Sequence, residues 1–141
     1  GRKDFMSDHE WCYYGWRAGS AHVFLGPNNI GDVWQVTKVN ARDMVHLTEK
    51  PVELATRAMT FSSRPGERVL DLFGGSGSTL IAAEMLGRRA LLMELDPLYC
   101  DVIIKRWETF TAKKADRIGV ATTTSNAAAG KTAAKPAGHK S

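Results

Sequence analysis

The stretch VLDLFGGSGSTLIAAEMLGR, residues 69–88, decides the fold of this chain. Its apolar beginning belongs to the run ERVLDLF at 67–73, which predicts a buried strand. A glycine turn follows at residues 74–77, and the apolar periodicity then predicts a helix over 78–86. Gly87 is placed to end that helix.

The residues on either side repeat this pattern. RRALLMEL at 88–95 predicts a second buried strand, and Asp96 with Pro97 predicts the cap and first position of another helix. Upstream, Pro51 fits the first position of a helix that ends before SSRPGE. The apolar stripes of these two helices consist of Val52, Leu54, Ala55, Ala58 and Met59, and of Tyr99, Val102, Ile103, Trp107 and Phe110. Helices alternating with strands predict an α/β fold with a parallel, doubly wound sheet and helices on both faces.

Two carboxylates border the predicted glycine turn. Asp71 precedes it, and Glu94 ends the second strand, 20 positions after Gly74. Ligands of such sheets bind beyond the carboxyl ends of the strands, so these residues should converge on one crevice. Glu94 suits the hydroxyls of a ribose, whereas Asp71 suits an ammonium group and would repel a pyrophosphate. The pattern favours S-adenosylmethionine over a nicotinamide dinucleotide, and a purely structural turn with a surface glutamate is the alternative.

Residues 10–38 are dense in aromatic and β-branched residues, which predicts short strands joined by turns. The aromatic residues include Trp11, Tyr13, Tyr14, Trp16 and Trp34. Aromatic residues at strand spacing more often form core than a binding surface, so we expect core packing, with base stacking as the alternative.

The basic charge lies at the C-terminal end. The net charge is +4, residues from 112 onward contribute +5, and the preceding residues therefore carry −1. From about Asp116 the sequence is poor in large apolar residues, which predicts a disordered, flexible tail. AGKT at 129–132 resembles part of a phosphate-binding loop, but the first glycine of that motif would fall on Ser125 and no strand precedes it.

Length and composition exclude several classes of protein. The 141 residues suffice for about one domain, and no apolar stretch is long enough to span a membrane. Cys12 and Cys100 belong to no CxxC motif, and His9 with Cys12 lacks a second pair of ligands. We therefore expect neither a disulfide framework nor a metal site, and reduced thiols indicate a cytoplasmic protein.

Three segments, in this order, resemble the cofactor-binding part of amino-group-specific DNA methyltransferases. They are HLTEKPVELATRAM at 46–59, VLDLFGGSGSTLIAAEMLGR at 69–88 and LLMELDPLYCDVIIKRW at 91–107. The resemblance is to the permuted class, in which the cofactor-binding segment follows the catalytic one. It implies a Rossmann-like sheet, S-adenosylmethionine as cofactor, and methyl transfer to adenine N6 or cytosine N4 of double-stranded DNA with the target base flipped out.

The resemblance also implies which residues form the cofactor site. His46, Thr48 and Lys50 would border the methionine end, and Glu94 would hold the ribose. The loop beneath the methionine end would consist of Asp71, Phe73, Gly74, Gly75 and Gly77. The structural alternatives are a helix-capping turn for His46 and Thr48 and a solvated side chain for Lys50.

The resemblance divides the chain into three regions. Residues 1–45 would end the catalytic and target-side region, residues 46–115 would bind the cofactor, and residues 116–141 would form the basic tail. The family holds the reacting amine with Asp, Asn or Ser followed by Pro-Pro and an aromatic residue, and the sequence contains no such tetrad. Asp96-Pro97-Leu98-Tyr99 is similar but lacks the second proline and opens a helix.

We therefore expect a C-terminal fragment with an incomplete sheet and no catalytic residue of its own. A missing upstream segment, a partner subunit or a second copy of the chain would complete it. The alternatives are a non-catalytic or split S-adenosylmethionine-binding subunit and a methyltransferase acting on RNA or a small molecule.

Overall fold

The computed structural model describes residue 4, residues 8–37 and residues 50–119. Helices and strands alternate in its second part, as predicted. In chain order they are α1 (Val52–Ser62), β1 (Arg68–Asp71), α2 (Ser78–Met85), β2 (Arg89–Leu92) and α3 (Pro97–Thr111). Both strands are shorter than the apolar runs that predicted them, because the chain leaves the sheet to enter the loops that carry the candidate site.

The two strands are parallel, with Val69 opposite Ala90 and Asp71 opposite Leu92. Helix α2 joins the end of β1 to the start of β2, which is the crossover that parallel strands require. Beyond the last pair, the Met93 amide still donates to the Asp71 carbonyl at 2.9 Å. The fold is therefore α/β with a small, incomplete parallel sheet, as predicted, and the carboxyl ends of the two strands lie side by side.

Helix α2 begins and ends at glycines with left-handed backbone. Gly77 at its N-terminal cap has φ 82°, and Gly87 just beyond its C-terminal cap has φ 66°. The Arg88 amide donates to the Ala83 carbonyl at 2.8 Å and the Gly87 amide to the Glu84 carbonyl at 3.4 Å. This is the Schellman pattern of helix ends. The prediction that Gly87 ends the helix is confirmed, since glycine takes this conformation without a Cβ clash.

The core lies between α1, α2 and one face of the sheet. Its members are Met59, Ala82 and Ala83, with Val52, Ala55, Val69, Leu86 and Ala90 packed against them. On the opposite face of the sheet, Leu70 and Leu91 are 64% and 53% exposed. Helices were predicted on both faces, but those in the described part of the chain leave this face uncovered. Helix α3 approaches the glycine turn through Ile103, whose Cδ1 would lie 3.0 Å from a Cβ on Gly74.

The prolines at the starts of α1 and α3 have different positions. In α3, Asp96 caps the helix by accepting the Leu98 amide at 2.9 Å, and Pro97 is the first helical residue, as predicted. Pro51 was predicted to be the first residue of α1, but its ψ of 137° makes it the N-cap. An N-cap residue has non-helical dihedrals while its carbonyl accepts the first helical hydrogen bond, which here comes from the Leu54 amide.

Residues 8–37 contain turns and bends but no strand, which corrects the prediction of short strands over 10–38 as far as residue 37. The Leu25 amide donates to the Phe61 carbonyl of α1 at 2.8 Å. A single bond of this kind does not form a ladder, and Phe61 belongs to a helix rather than to a neighbouring strand. Aromatic and β-branched composition favours a strand only where such a partner exists.

The aromatic residues of this segment are mostly exposed. Trp11 and Tyr13 are 85% and 97% exposed, and Tyr14 and Trp16 are more than half exposed. The prediction that they form core is therefore wrong within the described structure. Trp34 is the exception, since it is half-buried and packs edge-on against Phe61 with 5.7 Å between ring centroids.

Some predictions concern residues outside the described ranges. His46 and Thr48 lie there, as does the tail from residue 120 onward. The division into three regions at 45/46 and 115/116 also stays a prediction. In the described ranges, no helix has the length and apolar character needed to cross a membrane. Nor do His, Cys, Asp and Glu side chains in these ranges form a group of three or more that could hold a metal ion.

Candidate functional site

Glu94, just beyond the end of β2, is bonded to the glycine turn. Its Oε2 accepts a hydrogen bond from the Gly75 amide at 2.7 Å. Its Oε1 accepts from the amides of Leu95 and Asp96 at 2.9 and 3.0 Å. Hydrogen bonds from backbone amides to a carboxylate are strong, and three of them fix its orientation. The carboxylate is therefore held facing the turn.

Asp71, at the end of β1, is attached to the same loop. Its Oδ1 accepts a hydrogen bond from the Phe73 amide at 2.9 Å, and its side chain is half-buried. Its second carboxylate oxygen makes no hydrogen bond to the residues that the structure describes. The structure thus brings Asp71, the turn and Glu94 together at the carboxyl ends of neighbouring parallel strands.

Two glycines of the turn lie against helix α3. A Cβ on Gly74 would be 3.0 Å from Ile103 Cδ1 and 3.2 Å from the Met93 carbonyl oxygen, and one on Gly77 would be 3.2 Å from Ile103 Cγ2. Such distances are too short for an undisturbed side chain. Gly74 and Gly77 therefore allow the close approach of α3, which is a packing role.

Gly75 has different surroundings. The nearest atom to a Cβ built on it is the Phe73 carbonyl oxygen at 3.8 Å, so this side of the turn is open. Its φ of 53° lies in the left-handed region. Gly75 is also the residue whose amide faces Glu94. It is therefore the position at which a ligand can approach the backbone of the turn most closely.

Lys50 reaches the turn from the start of α1. Its carbonyl oxygen accepts a hydrogen bond from the Ser78 hydroxyl at 2.7 Å. Its ammonium group forms an ion pair with Glu10, and both side chains are more than half exposed. The main chain of Lys50 is thus beside the start of α2, and its side chain extends toward residues 8–37. Phe73, the last predicted site residue, is 87% exposed at the rim of the loop.

Three residues that sequence reasoning missed form polar contacts in and around the turn. Arg106 Nη1 donates to the carbonyl and the hydroxyl oxygen of Ser76, both at 3.0 Å. The Ser76 and Ser78 hydroxyl oxygens are 3.3 Å apart. One serine in a glycine turn and another just after it are a signal that could have been followed. Arg106 lies 30 positions from Ser76, and no local pattern reveals that contact.

The chemistry of this arrangement follows from its donors and acceptors. An ionised carboxylate only accepts hydrogen bonds, so Glu94 suits paired hydroxyl groups. The second oxygen of Asp71 suits a cation or another donor. The open side of Gly75 lies next to Glu94. The loop can therefore bind a ligand that carries hydroxyls at one end and a cationic group at the other.

Comparison with known proteins gives a consistent result. The model of the N6/N4 methyltransferase family, described as DNA methylase, matches residues 20–106. Type II methyltransferase M1.MboII of Moraxella bovis is 37% identical over 86 residues, which are 54% of this chain and 33% of that protein. Type II methyltransferase M.Cfr9I of Citrobacter freundii is 33% identical over 103 residues, which are 72% of this chain and 34% of that protein.

A solved structure agrees in fold. The crystal structure of the M1.HpyAVI–SAM complex superposes with a TM-score of 0.53 and 27% sequence identity, over 60% of this chain and 43% of that chain. The chain spans about a third of the length of the curated relatives it matches.

Proposed function

Because this chain belongs to the DNA methylase family, we propose that it is the S-adenosylmethionine-binding part of a DNA methyltransferase. The target would be an exocyclic amine of DNA, adenine N6 or cytosine N4. The enzyme would act in the cytoplasm on double-stranded DNA with the target base flipped out of the helix.

One observation carries this proposal. Asp71 and Glu94 lie at the carboxyl ends of neighbouring parallel strands: Asp71 accepts a hydrogen bond from the Phe73 amide, just before the glycine turn, and Glu94 Oε2 accepts one from the Gly75 amide in the turn at 2.7 Å. The carboxyl ends of parallel strands are where ligands of α/β folds bind. A purely structural turn does not need two carboxylates beside its open glycine.

The residues fit S-adenosylmethionine in the following way. Glu94 would accept hydrogen bonds from the ribose hydroxyls, and Asp71 would face the α-ammonium group of the methionine end. His46, Thr48 and Lys50 would border that end. The turn residues Gly74, Gly75 and Gly77 would lie beneath that end, with Phe73 at its rim. The open side of Gly75 would leave room for the ligand, whereas Gly74 and Gly77 would act by packing against α3.

When bound, the cofactor supplies an activated methyl group on its sulfonium. The contribution of this chain is to hold that group in line with the amine, since alignment of two reactants accounts for much of the rate of a displacement. The sequence contains no Pro-Pro-aromatic tetrad, so the amine would be held by residues outside it. An upstream segment, a partner subunit or a second copy of the chain would supply them.

Calorimetric titration with S-adenosylhomocysteine tests the cofactor site. We expect the wild-type chain to bind and Asp71→Asn to bind about fivefold to 50-fold more weakly, because a charged partner is lost. Asp101→Asn is the matched control, since Asp101 is exposed on α3 and should leave affinity unchanged. Equal affinities for Asp71→Asn and wild type would remove Asp71 from the site.

The transfer step needs a separate experiment. The chain is incubated with DNA and labelled S-adenosylmethionine, alone and together with the protein region encoded upstream of it, and the modified base is identified. Label in N6-methyladenine or N4-methylcytosine only in the combined reaction would support the proposal. Cofactor binding without any transfer in the combined reaction would instead indicate a non-catalytic binding subunit.

A further inference from the structure

Four residues form a continuous path of polar contacts through the glycine turn. It starts at Arg106 of α3, which donates to Ser76 at 3.0 Å. The Ser76 hydroxyl oxygen lies 3.3 Å from that of Ser78. The Ser78 hydroxyl donates to the carbonyl of Lys50 at 2.7 Å. We call these residues the serine network.

The two serines of the serine network are buried. Ser76 and Ser78 are only 5% and 9% exposed, and they are two of the three buried polar residues in the described structure. Buried hydroxyls need hydrogen-bond partners, and each of these two has at least one. Because burial excludes competing water, such contacts hold their partners in one arrangement rather than several.

The network connects the segments that carry the predicted cofactor contacts. Lys50 precedes α1, Ser76 and Ser78 lie in and just after the turn that Asp71 precedes, and Arg106 belongs to the helix that begins three residues after Glu94. The hydrogen bond from the Gly75 amide to Glu94 connects the turn to the loop that precedes α3, next to the predicted ribose contact. The hydrogen bond from the Ser78 hydroxyl to the Lys50 carbonyl connects the start of α1 to the turn, next to the predicted methionine contacts.

We propose that Ser76, Ser78 and Arg106 are positioning residues for the methionine end of the cofactor. This inference rests on the proposed function. None of the three needs to touch the cofactor. Ser78 sets the distance between the Lys50 main chain and the turn, and Arg106 holds the turn through Ser76. Loss of the network would loosen the methionine side of the site and leave the ribose side, held by Glu94, in place.

Two ligands distinguish binding at the methionine side from binding at the ribose side. S-adenosylhomocysteine has both an adenosine and an amino-acid part, whereas adenosine has only the first. In calorimetric titrations of the full chain, we expect Ser78→Ala to raise the dissociation constant for S-adenosylhomocysteine about tenfold, the effect of about one hydrogen bond. The constant for adenosine should change by about twofold or less. Ser62→Ala, at the exposed end of α1, is the matched control and should change neither.

Two further variants keep the test independent of one substitution. Ser76→Ala removes the hydroxyl that contacts Ser78 and Arg106, and it should show the same selective loss of S-adenosylhomocysteine binding. Arg106→Lys keeps the positive charge and N–H donors on one nitrogen, so its loss should be smaller than that of Arg106→Met. Thermal unfolding of every variant shows whether it is folded, and affinities are compared only among folded variants.

The outcomes are distinct. Selective loss of S-adenosylhomocysteine binding in Ser78→Ala and Ser76→Ala supports the positioning role. A wild-type chain that binds S-adenosylhomocysteine, with variants that lose both ligands equally or neither, overturns that role and leaves the proposed function standing. A wild-type chain that binds neither ligand overturns the proposed function and this inference with it.

Discussion

The Gly75 amide donates a 2.7 Å hydrogen bond to the Glu94 carboxylate, across the carboxyl ends of the two parallel strands. This contact connects the turn after β1 with the loop after β2. It also occupies one oxygen of the side chain that the proposed function assigns to the ribose. Cofactor binding at Glu94 would therefore share or replace this bond.

Glu94→Ala should weaken binding of S-adenosylhomocysteine by about 1 to 3 kcal/mol, because the ribose hydroxyls lose a charged acceptor. Isothermal titration calorimetry measures this change. Glu53→Ala on the exposed side of α1 is the control, and it should not alter affinity. An unchanged affinity in Glu94→Ala would exclude Glu94 from the ribose site. Urea denaturation of the same variant reports the separate effect of losing the Gly75, Leu95 and Asp96 contacts.

Gly77→Ala should lower the stability of the protein more than Gly75→Ala does. An alanine at Gly77 combines φ 82° with a Cβ 3.2 Å from Ile103, so we expect the free energy of unfolding to fall by about 2 to 4 kcal/mol. An alanine at Gly75 meets no atom nearer than 3.8 Å, and about 1 kcal/mol of backbone strain is expected. Urea denaturation measures both values.

The affinities of these two variants complete the comparison. Gly75→Ala places a methyl group on the open side of the turn and should lower cofactor affinity at least tenfold, about 1.4 kcal/mol. Folded Gly77→Ala should bind more nearly like wild type, since its Cβ points toward α3. The reverse order of affinities would show that the ligand lies on the Gly77 side.

Glu84 on α2 should make stability depend on pH. The Lys113 ammonium, 2.9 Å away, and then the Trp107 indole N–H, 3.3 Å away, lower the pKa of Glu84 below its ordinary value of 4.5. A carboxyl whose pKa is lower in the folded state stabilises the fold above the unfolded pKa, and this stabilisation is lost as the pH falls through the folded pKa.

Glu84→Gln therefore has a pH-dependent cost. At pH 7 we expect a loss of about 0.3 to 1 kcal/mol, a small value because the Lys113 side chain is 62% exposed to solvent. The difference from wild type should shrink as the pH is lowered below 4.5. Urea denaturation of both proteins at pH 7 and below pH 4.5 measures this difference. A difference in unfolding free energy that stays constant with pH would show that the Glu84 charge does not contribute to stability.

Removal of residues 117–141 should reduce the salt dependence of DNA binding. This segment contains four cationic residues, Arg117, Lys131, Lys135 and Lys140, and no acidic residue. Each cation that neutralises a phosphate adds about 0.9 to the slope of log K against log salt concentration, so a decrease of up to about 4 is expected. Affinity for S-adenosylhomocysteine should not change. An unchanged slope would mean that these residues make no phosphate contacts.

The sequence by itself determined the order of the elements and the placement of two acids beside one turn. Alternating apolar runs, Gly87 and the Asp96-Pro97 pair are local signals, and each acts within a few residues of the feature that it specifies. Because strands of a parallel sheet share one direction, positions 71 and 94 had to reach the same edge of the sheet. That much of the candidate site follows from spacing alone.

Only the tertiary structure decided which glycines pack and which one stays open, because that depends on Ile103 arriving from α3. It also joined Arg106, Ser76, Ser78 and Lys50, whose contacts span 28 to 30 positions in two of three links. The prediction of strands in the aromatic segment at 10–38 was wrong for the same reason. A strand depends on a partner elsewhere in the chain, and composition within the segment carries no information about that partner.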